Sequence, residues 1–224
     1  MKIIAKTLAF LLLASATANA SAMDLSDWIL EIEDYGGITR TEDSFIFSQG
    51  ADNTVRAPGA FDCASISFSV SGNPEAGFTA GFGKVEDDFL TEYKLFTQFD
   101  MLAPDVGVWL NDVDNIAYYP IDEIWADWNA AATTTVTYAK KEIEGDTVWE
   151  VSISSEGQET VVLASVSESE FAVGDYVPFF KVSTSADDSP IVVKVSESAV
   201  PEPGTCAAIF GALALALAIR RKRS

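Results

Sequence analysis

The sequence contains no histidine. Ser-His-Asp triads, Cys-His dyads and histidine-ligated zinc are therefore excluded together. Cysteine is scarce as well. Cys63 and Cys206 are the two, and Cys206 lies inside a terminal hydrophobic run, so a disulfide between them would have to join a domain to a membrane segment, against the geometry of the bond. Cys63 reads as a small buried residue rather than a nucleophile. Positive charge is also rare, with 14 Lys and Arg against 34 Asp and Glu. Setting aside Lys2, Lys6, Glu202, Arg220, Arg221, Lys222 and Arg223 at the ends leaves 8 basic and 33 acidic residues, a formal charge of −25. Such a surface repels phosphate backbones and anionic lipid, which excludes nucleic-acid binding. Solubility is the plain reading of that charge, and divalent-cation binding the sharper one. No phosphate loop, nucleotide fingerprint, nucleophile elbow, internal repeat or long linker is present.

Long apolar runs are confined to the two ends, and neither is long. Lys2 and Lys6 precede the run Thr7 to Ala14, too short to span a bilayer and suited to a secretory signal. Ala18-Asn19-Ala20 supplies small residues before a cut, so residues 1–20 are expected to leave as a signal peptide with Ala20 as its last residue. Ala16-Thr17-Ala18 is the alternative register. At the other end, Val200-Pro201-Glu202-Pro203-Gly204 precedes an apolar run from Thr205 to Ile219 and then Arg220-Arg221-Lys222-Arg223. Fifteen helical residues rise about 22 Å against a hydrocarbon core of about 30 Å, a gap that snorkelling arginines and local thinning close. The four cations keep the end cytoplasmic and place the domain outside. Two prolines hold the neck extended and open to a processing enzyme.

The order Val-Pro-Glu-Pro, short apolar helix and terminal arginine cluster resembles the PEP-CTERM sorting signal of Gram-negative bacteria over residues 200–224. The resemblance implies recognition by an exosortase, with Pro201, Glu202, Pro203, Arg220 and Arg221 as the sorting residues and a cut near the Pro-Glu-Pro triplet. It also implies passage from transient inner-membrane anchoring to the cell surface or extracellular medium, among proteins that accompany exopolysaccharide and biofilm. Permanent single-pass anchoring is the alternative.

Residues 21–199 make one domain dominated by period-two alternation. Ser65 to Val70 puts Ile66, Phe68 and Val70 on one face and serines on the other; Thr147 to Ser154 puts Trp149, Val151 and Ile153 inward. Comparable runs at 28–33, 44–48, 78–85, 93–99, 106–110, 133–140, 159–165, 176–183 and 191–196 bring the expectation to eleven strands. Gly145-Asp146 predicts a tight hairpin and Ser155-Glu156-Gly157-Gln158 a second turn. Many short strands without alternating helices predict an all-β, antiparallel two-sheet sandwich. Ile121, Ile124, Trp125 and Trp128 have helical spacing behind Pro120, with Asp122 and Glu123 in the first turn, and predict one short helix over 121–131. The hairpin series 133–183 resembles the concanavalin-like, laminin-G-like jelly roll. That resemblance implies two sheets of about six strands and a carbohydrate-facing surface.

Three constellations are candidates for chemistry. Glu31-Ile32-Glu33 and Glu142-Ile143-Glu144 pair carboxylates as a glycoside hydrolase does, but neither continues into the Glu-x-Asp-x-x-Glu run of laminarinase-like enzymes, so solvated sheet faces are the better reading. Asp112, Asp114 and Asn115 gather oxygens in the loop Asn111 to Asn115, a candidate for structural calcium without the EF-hand pattern; no other cofactor is expected. Trp109 falls out of phase with its apolar neighbours Val108 and Leu110, which marks it as an exposed aromatic able to stack on a sugar ring. Trp125 and Trp128, on the helical stripe, read as core. The expectation is a non-enzymatic surface or matrix protein, adhesive or glycan-associated; the alternative is a polysaccharide-acting hydrolase on the same fold. The expected partners are signal peptidase, exosortase and extracellular polysaccharide.

Overall fold

The computed structural model describes residues 21–22, 24–32, 37–48, 52–60, 64–72, 77–100, 105–111, 114–129, 131–170, 176–183 and 190–198. Fifteen strands follow one another: β1 (Ser21–Ala22), β2 (Ile29–Ile32), β3 (Ile38–Arg40), β4 (Ser44–Phe47), β5 (Asp52–Arg56), β6 (Ser65–Ser71), β7 (Gly77–Glu86), β8 (Phe89–Asp100), β9 (Asp105–Leu110), β10 (Asp114–Pro120), β11 (Thr134–Ile143), β12 (Asp146–Ser155), β13 (Val161–Ser167), β14 (Val177–Ser183) and β15 (Ile191–Ser198). Among the described residues one helix, α1 (Ile121–Ile124), falls between β10 and β11. One sheet has eight strands in the order β13-β12-β11-β6-β15-β4-β3, with β1 also pairing β15; the other has seven, β10-β9-β8-β7-β14-β5-β2. Every pairing is antiparallel. The expected two-sheet sandwich is thus what the chain forms, with more strands per sheet than the concanavalin-like resemblance implied.

Alternation places the core between the sheets. Ile66, Phe68 and Val70 of β6 are buried while the serines between them are half-buried. Phe180 of β14 is the hub, with ring centroids 5.5 Å from Phe45, 5.9 Å from Phe47, 6.1 Å from Phe68 and 6.2 Å from Trp28. Burying each such ring contributes about 1.5–3 kcal/mol. Tyr138 of β11 carries the one deeply buried phenol among the described residues. Its hydroxyl is 2.7 Å from both the Ala80 carbonyl, to which it donates, and Thr97 Oγ1. Burial pushes its pKa well above the ordinary tyrosine value.

Two local expectations are corrected. The helix is one turn, Ile121–Ile124, rather than 121–131. Trp125 is already extended (φ −139°), because its buried indole reaches across the molecule and donates to the Glu159 carbonyl at 3.0 Å. Trp128 still packs inward, edge-on to Phe99 at 5.5 Å, so both tryptophans serve the core as expected. The β11–β12 turn is centred on Glu144-Gly145, not Gly145-Asp146. Both central residues have positive φ (55° and 93°), and Ile143 pairs with Asp146, the two-residue geometry that suits the strand twist. The second predicted turn holds, with Gln158 N donating to Ser155 O at 2.9 Å and Gly157 at φ 82°. Among the described residues no helix is long and apolar enough to cross a membrane. The predicted signal segment, Ala20 included, and the tail, with Pro201, Glu202, Pro203, Arg220 and Arg221, lie outside the described residues.

Candidate functional site

The outer face of the seven-stranded sheet carries a row of aromatics at right angles to the strands. The register aligns Asn115 of β10 with Trp109 of β9, Trp109 with Phe96 of β8, Phe96 with Gly81 of β7, Gly81 with Phe179 of β14, and Phe179 with Arg56 of β5. Residues directly opposite share a face, and this face points away from the core, since Val106, Val108, Leu95, Phe82 and Phe180 between them point inward. Phe179 and Phe96 are buried on this outer side. Tyr93 covers them, stacked on Phe179 at 4.7 Å and 14° and set against Phe96 at 5.5 Å. At Gly81 there is no room for a side chain, since a Cβ would come within 2.7 Å of Phe96 Cβ and closer still to the Leu95 carbonyl oxygen.

Trp109 closes the row and is half-buried rather than exposed as expected, because its ring packs beside Phe96. Its plane lies 8° from that of Phe96, with centroids 6.2 Å apart. The indole lies along β9 over Gly107, where a Cβ would come within 2.8 Å of Nε1. A side chain at 107 would lift the ring; glycine lets it lie flat and turn a broad apolar face outward. Tyr118 of β10, paired with Gly107 and 55% exposed, adds a second ring, its hydroxyl held by Asp105. Beside the aromatics runs a polar row aligned through Gly107, Gln98, Thr79, Lys181, Thr54 and Glu31. Flat rings next to hydroxyl, amide and charged groups can stack a pyranose face and hydrogen-bond its edge.

The β7–β8 hairpin borders this face. Its tip, Asp87-Asp88, has positive φ at both residues (51° and 68°). Arg56, 4% exposed, donates from Nη2 to the Asp88 carbonyl at 2.7 Å and from Nε to Glu31 at 2.5 Å. A buried guanidinium thus ties strands β5 and β2 to the hairpin tip, its charge paired as burial demands. Leu90 lies over Gly83, where a Cβ would meet Leu90 Cδ1 at 2.6 Å. The sequence singled out Glu31 only as one of a carboxylate pair; its pairing with Arg56, and that of Arg56 with Asp88, 25 and 32 positions apart, exist only in the fold.

The other predicted residues fare differently. Asp114 and Asn115 stand exposed at the start of β10, and Asp112 lies outside the described residues. Asn111, at φ 56°, donates its backbone N–H to the Lys94 carbonyl at 2.7 Å, and its Oδ1 is buried without a partner. Among the described residues no group of three or more His, Cys, Asp or Glu side chains converges on a metal-sized site. Of the paired carboxylates, Glu33 lies outside the described residues, and the other three have separate settings. Glu31 is bound to Arg56, Glu142 accepts a hydrogen bond from Thr147 at 2.6 Å, and Glu144 sits in the turn. Asp24 and Asp43 are held below the usual carboxylate range, Asp24 by the Ser26 backbone amide and Asp43 by Lys194, the reverse of what a glycosidase acid needs.

The two antiparallel sheets make the domain, by fold, a concanavalin-like jelly-roll sandwich. The chain is similar to the carbohydrate recognition domain of Emp46p in its metal-free form, at 10% identity over 82% of this chain and 94% of that one, with a TM-score of 0.52. It is also similar to the exoplasmic/lumenal domain of VIP36 in its Ca2+/Man3GlcNAc-bound form, at 11% identity over 79% and 85%, with a TM-score of 0.50. At such identities the likeness is one of fold. Residues 199–223 match the PEP-CTERM protein-sorting motif, which bears out the resemblance of the tail and implies export with attachment at the C terminus. No curated protein sequence matches the chain.

Proposed function

We propose that this is an exported, non-enzymatic protein of the cell surface or extracellular matrix, which binds polysaccharide through the outer face of the seven-stranded sheet. Signal peptidase removes residues 1–20. An exosortase then cuts in the tail near Pro201-Glu202-Pro203 and passes domain 21–199 outward, in an adhesive or biofilm-associated role. One observation carries the glycan reading: the half-buried Trp109 lies against Gly107 at the outer-face end of a ring-lined row, with polar groups and the exposed Tyr118 alongside. The test is a glycan array and affinity electrophoresis in extracellular polysaccharide with the mature exported protein. Retardation by at least one polymer, lost in Trp109→Ala with unchanged melting, is expected; a blank array overturns it. Intact mass and terminal peptides of the native protein test the processing, and a C-terminal peptide running through Ser224 would refute the cut.

A structural calcium at the β9–β10 loop is a secondary reading. Asp112, Asp114 and Asn115 would supply oxygens, and the buried, unpartnered Asn111 Oδ1 next to them supports it. The expected result is a melting temperature that rises in millimolar calcium and returns with chelator. Against a hydrolase on this fold, Glu31 is bound to Arg56 and Glu142 to Thr147.

A further inference from the structure

Both ends of the domain leave at one pole. Ser21 pairs with Glu197 and Ala22 with Ser196, so the first strand lies against the end of the last one. The sorting motif begins at residue 199, directly after β15 ends at Ser198. Two hairpins reach past that exit. In the eight-stranded sheet Ser198 is level with Ser65, and Ser65 with Ala139; β11 runs on to Ile143, four residues or about 13 Å further. In the seven-stranded sheet, Phe82 packs on Tyr138 at 5.3 Å and on Trp149 at 5.7 Å, which sets Phe82 near the same level, because Trp149 pairs with Lys140. Strand β7 runs four residues further, to Glu86. The chain therefore leaves from a recess with an overhanging hairpin from each sheet.

The tips of these hairpins carry exposed apolar side chains. Phe89 is 66% exposed beside the β7–β8 turn, and Ile143 is 43% exposed beside the β11–β12 turn. From Ser198 to Thr205, where the apolar run starts, there are seven residue steps, at most about 25 Å of chain. With about 13 Å of that taken up by the overhang, the tips come within about 12 Å of the start of the run. That distance is comparable to the polar layer of a bilayer, about 5–8 Å per side.

We propose that this pole is the lipid-facing surface of the tethered precursor, with Phe89 and Ile143 bearing on the headgroup layer on either side of the neck. The inference rests on the reading of 205–219 as a membrane segment. The acids around the tips, Glu86, Asp87 and Asp88 on one and Glu142, Glu144 and Asp146 on the other, hold the contact to the headgroup level. They also oppose anionic lipid, so the contact depends on the tether. The two hairpins act as legs that fix the height of the sandwich and leave the neck in the recess between them. Once the tail is cut, a domain of this charge has nothing to hold it at an anionic surface.

The test uses the full chain, with Cys63→Ser and Cys206→Ser, reconstituted in phosphatidylcholine vesicles with a nitroxide headgroup quencher. A fluorophore is placed by Phe89→Cys, Ile143→Cys or, at the opposite pole, Glu156→Cys. Several-fold stronger quenching at 89 and 143 than at 156 is expected. A flexible spacer inserted after Ser198 should abolish the difference, and phosphatidylglycerol in the vesicles should weaken it. Equal quenching at the three positions, or a difference that the spacer leaves intact, overturns the legs while the membrane reading stands. Failure of the chain to float with vesicles overturns both.

Discussion

Gly107 and Trp109 occupy successive outward positions of β9, and the flatness of one depends on the emptiness of the other. Gly107→Ala places a methyl within 2.8 Å of the indole Nε1. The ring must tilt, while the strand pairing has no reason to change. The expected outcome is a loss of about three- to tenfold in glycan affinity, the range of one aromatic stacking contact, at a melting temperature within a few degrees of the parent; calorimetry beside thermal melting checks both. Tyr138 is a contrasting case, a residue that acts on stability alone. Removing its hydroxyl in Tyr138→Phe strands the buried Thr97 hydroxyl and the Ala80 carbonyl, which should cost about 1–3 kcal/mol at neutral pH. Its pKa is raised in the fold, so the unfolded chain loses the proton first, near pH 10. The stabilisation is therefore complete below that value and declines as pH rises through it. The gap between parent and variant in urea unfolding should narrow above pH 10 and stay constant below.

At the scale of elements, legibility followed periodicity. The alternation of β6 and β15 follows from one buried face and one partly wet face. Strands β7, β12 and β14 kept enough of the same period to be visible although they bury residues on both faces. Four strands were missed. β5 reads Asp-Asn-Thr-Val-Arg and buries Asn53, Thr54 and Arg56 against neighbours on both faces, so its polarity disguises it. β10 is an edge strand with a bulge between Asn115 and Ala117, which breaks the period; β1 and β3 are too short to have one. Of the site, Trp109 was legible from its phase alone. Phe96, Phe179 and Tyr93 were not, because their alignment depends on the register of β8, β7 and β14. The Arg56 clamp was equally hidden, and it makes a prediction for its hairpin. Arg56→Met leaves Glu31 unpaired and releases the Asp88 carbonyl, at a cost of up to about 3 kcal/mol. Hydrogen exchange should quicken at residues 84–92 and remain slow in β6 and β15. Adding Glu31→Gln should recover part of the loss. Uniformly faster exchange across both sheets would show that the pair supports the whole sandwich rather than its hairpin.

The molecule as a whole is a neutral core with a heavily anionic exterior, and its few cations are already engaged. Of the eight basic residues between 21 and 199, Arg56, Lys84, Lys140, Lys141 and Lys194 form ion pairs. Arg40 donates to the Ser26 and Trp28 carbonyls, and Lys94 lies 5.8 Å from the Tyr176 ring centroid. Thirty-three acidic residues share those eight, so repulsion among the remaining carboxylates dominates the long-range electrostatics. Salt acts on the two kinds of interaction in opposite senses. It weakens the exposed pairs, each worth about 0–1 kcal/mol, and it screens repulsion summed over the surface, the Debye length falling from about 30 Å at 0.01 M to about 3 Å at 1 M. Repulsion involves more charges over longer distances, so it should win. The melting temperature of the mature protein should rise steadily with sodium chloride. Mild acidification toward the sequence pI of about 4.1 should raise it at low salt, as protonation relieves crowded carboxylates before it breaks paired ones. Asp43, whose pKa Lys194 lowers, belongs to the second group: its contribution is present above the ordinary carboxylate value and is lost as pH falls through the depressed one. A melting temperature that falls with salt at neutral pH would mean that the ion pairs, not the surplus of acid, set the electrostatic balance of this fold.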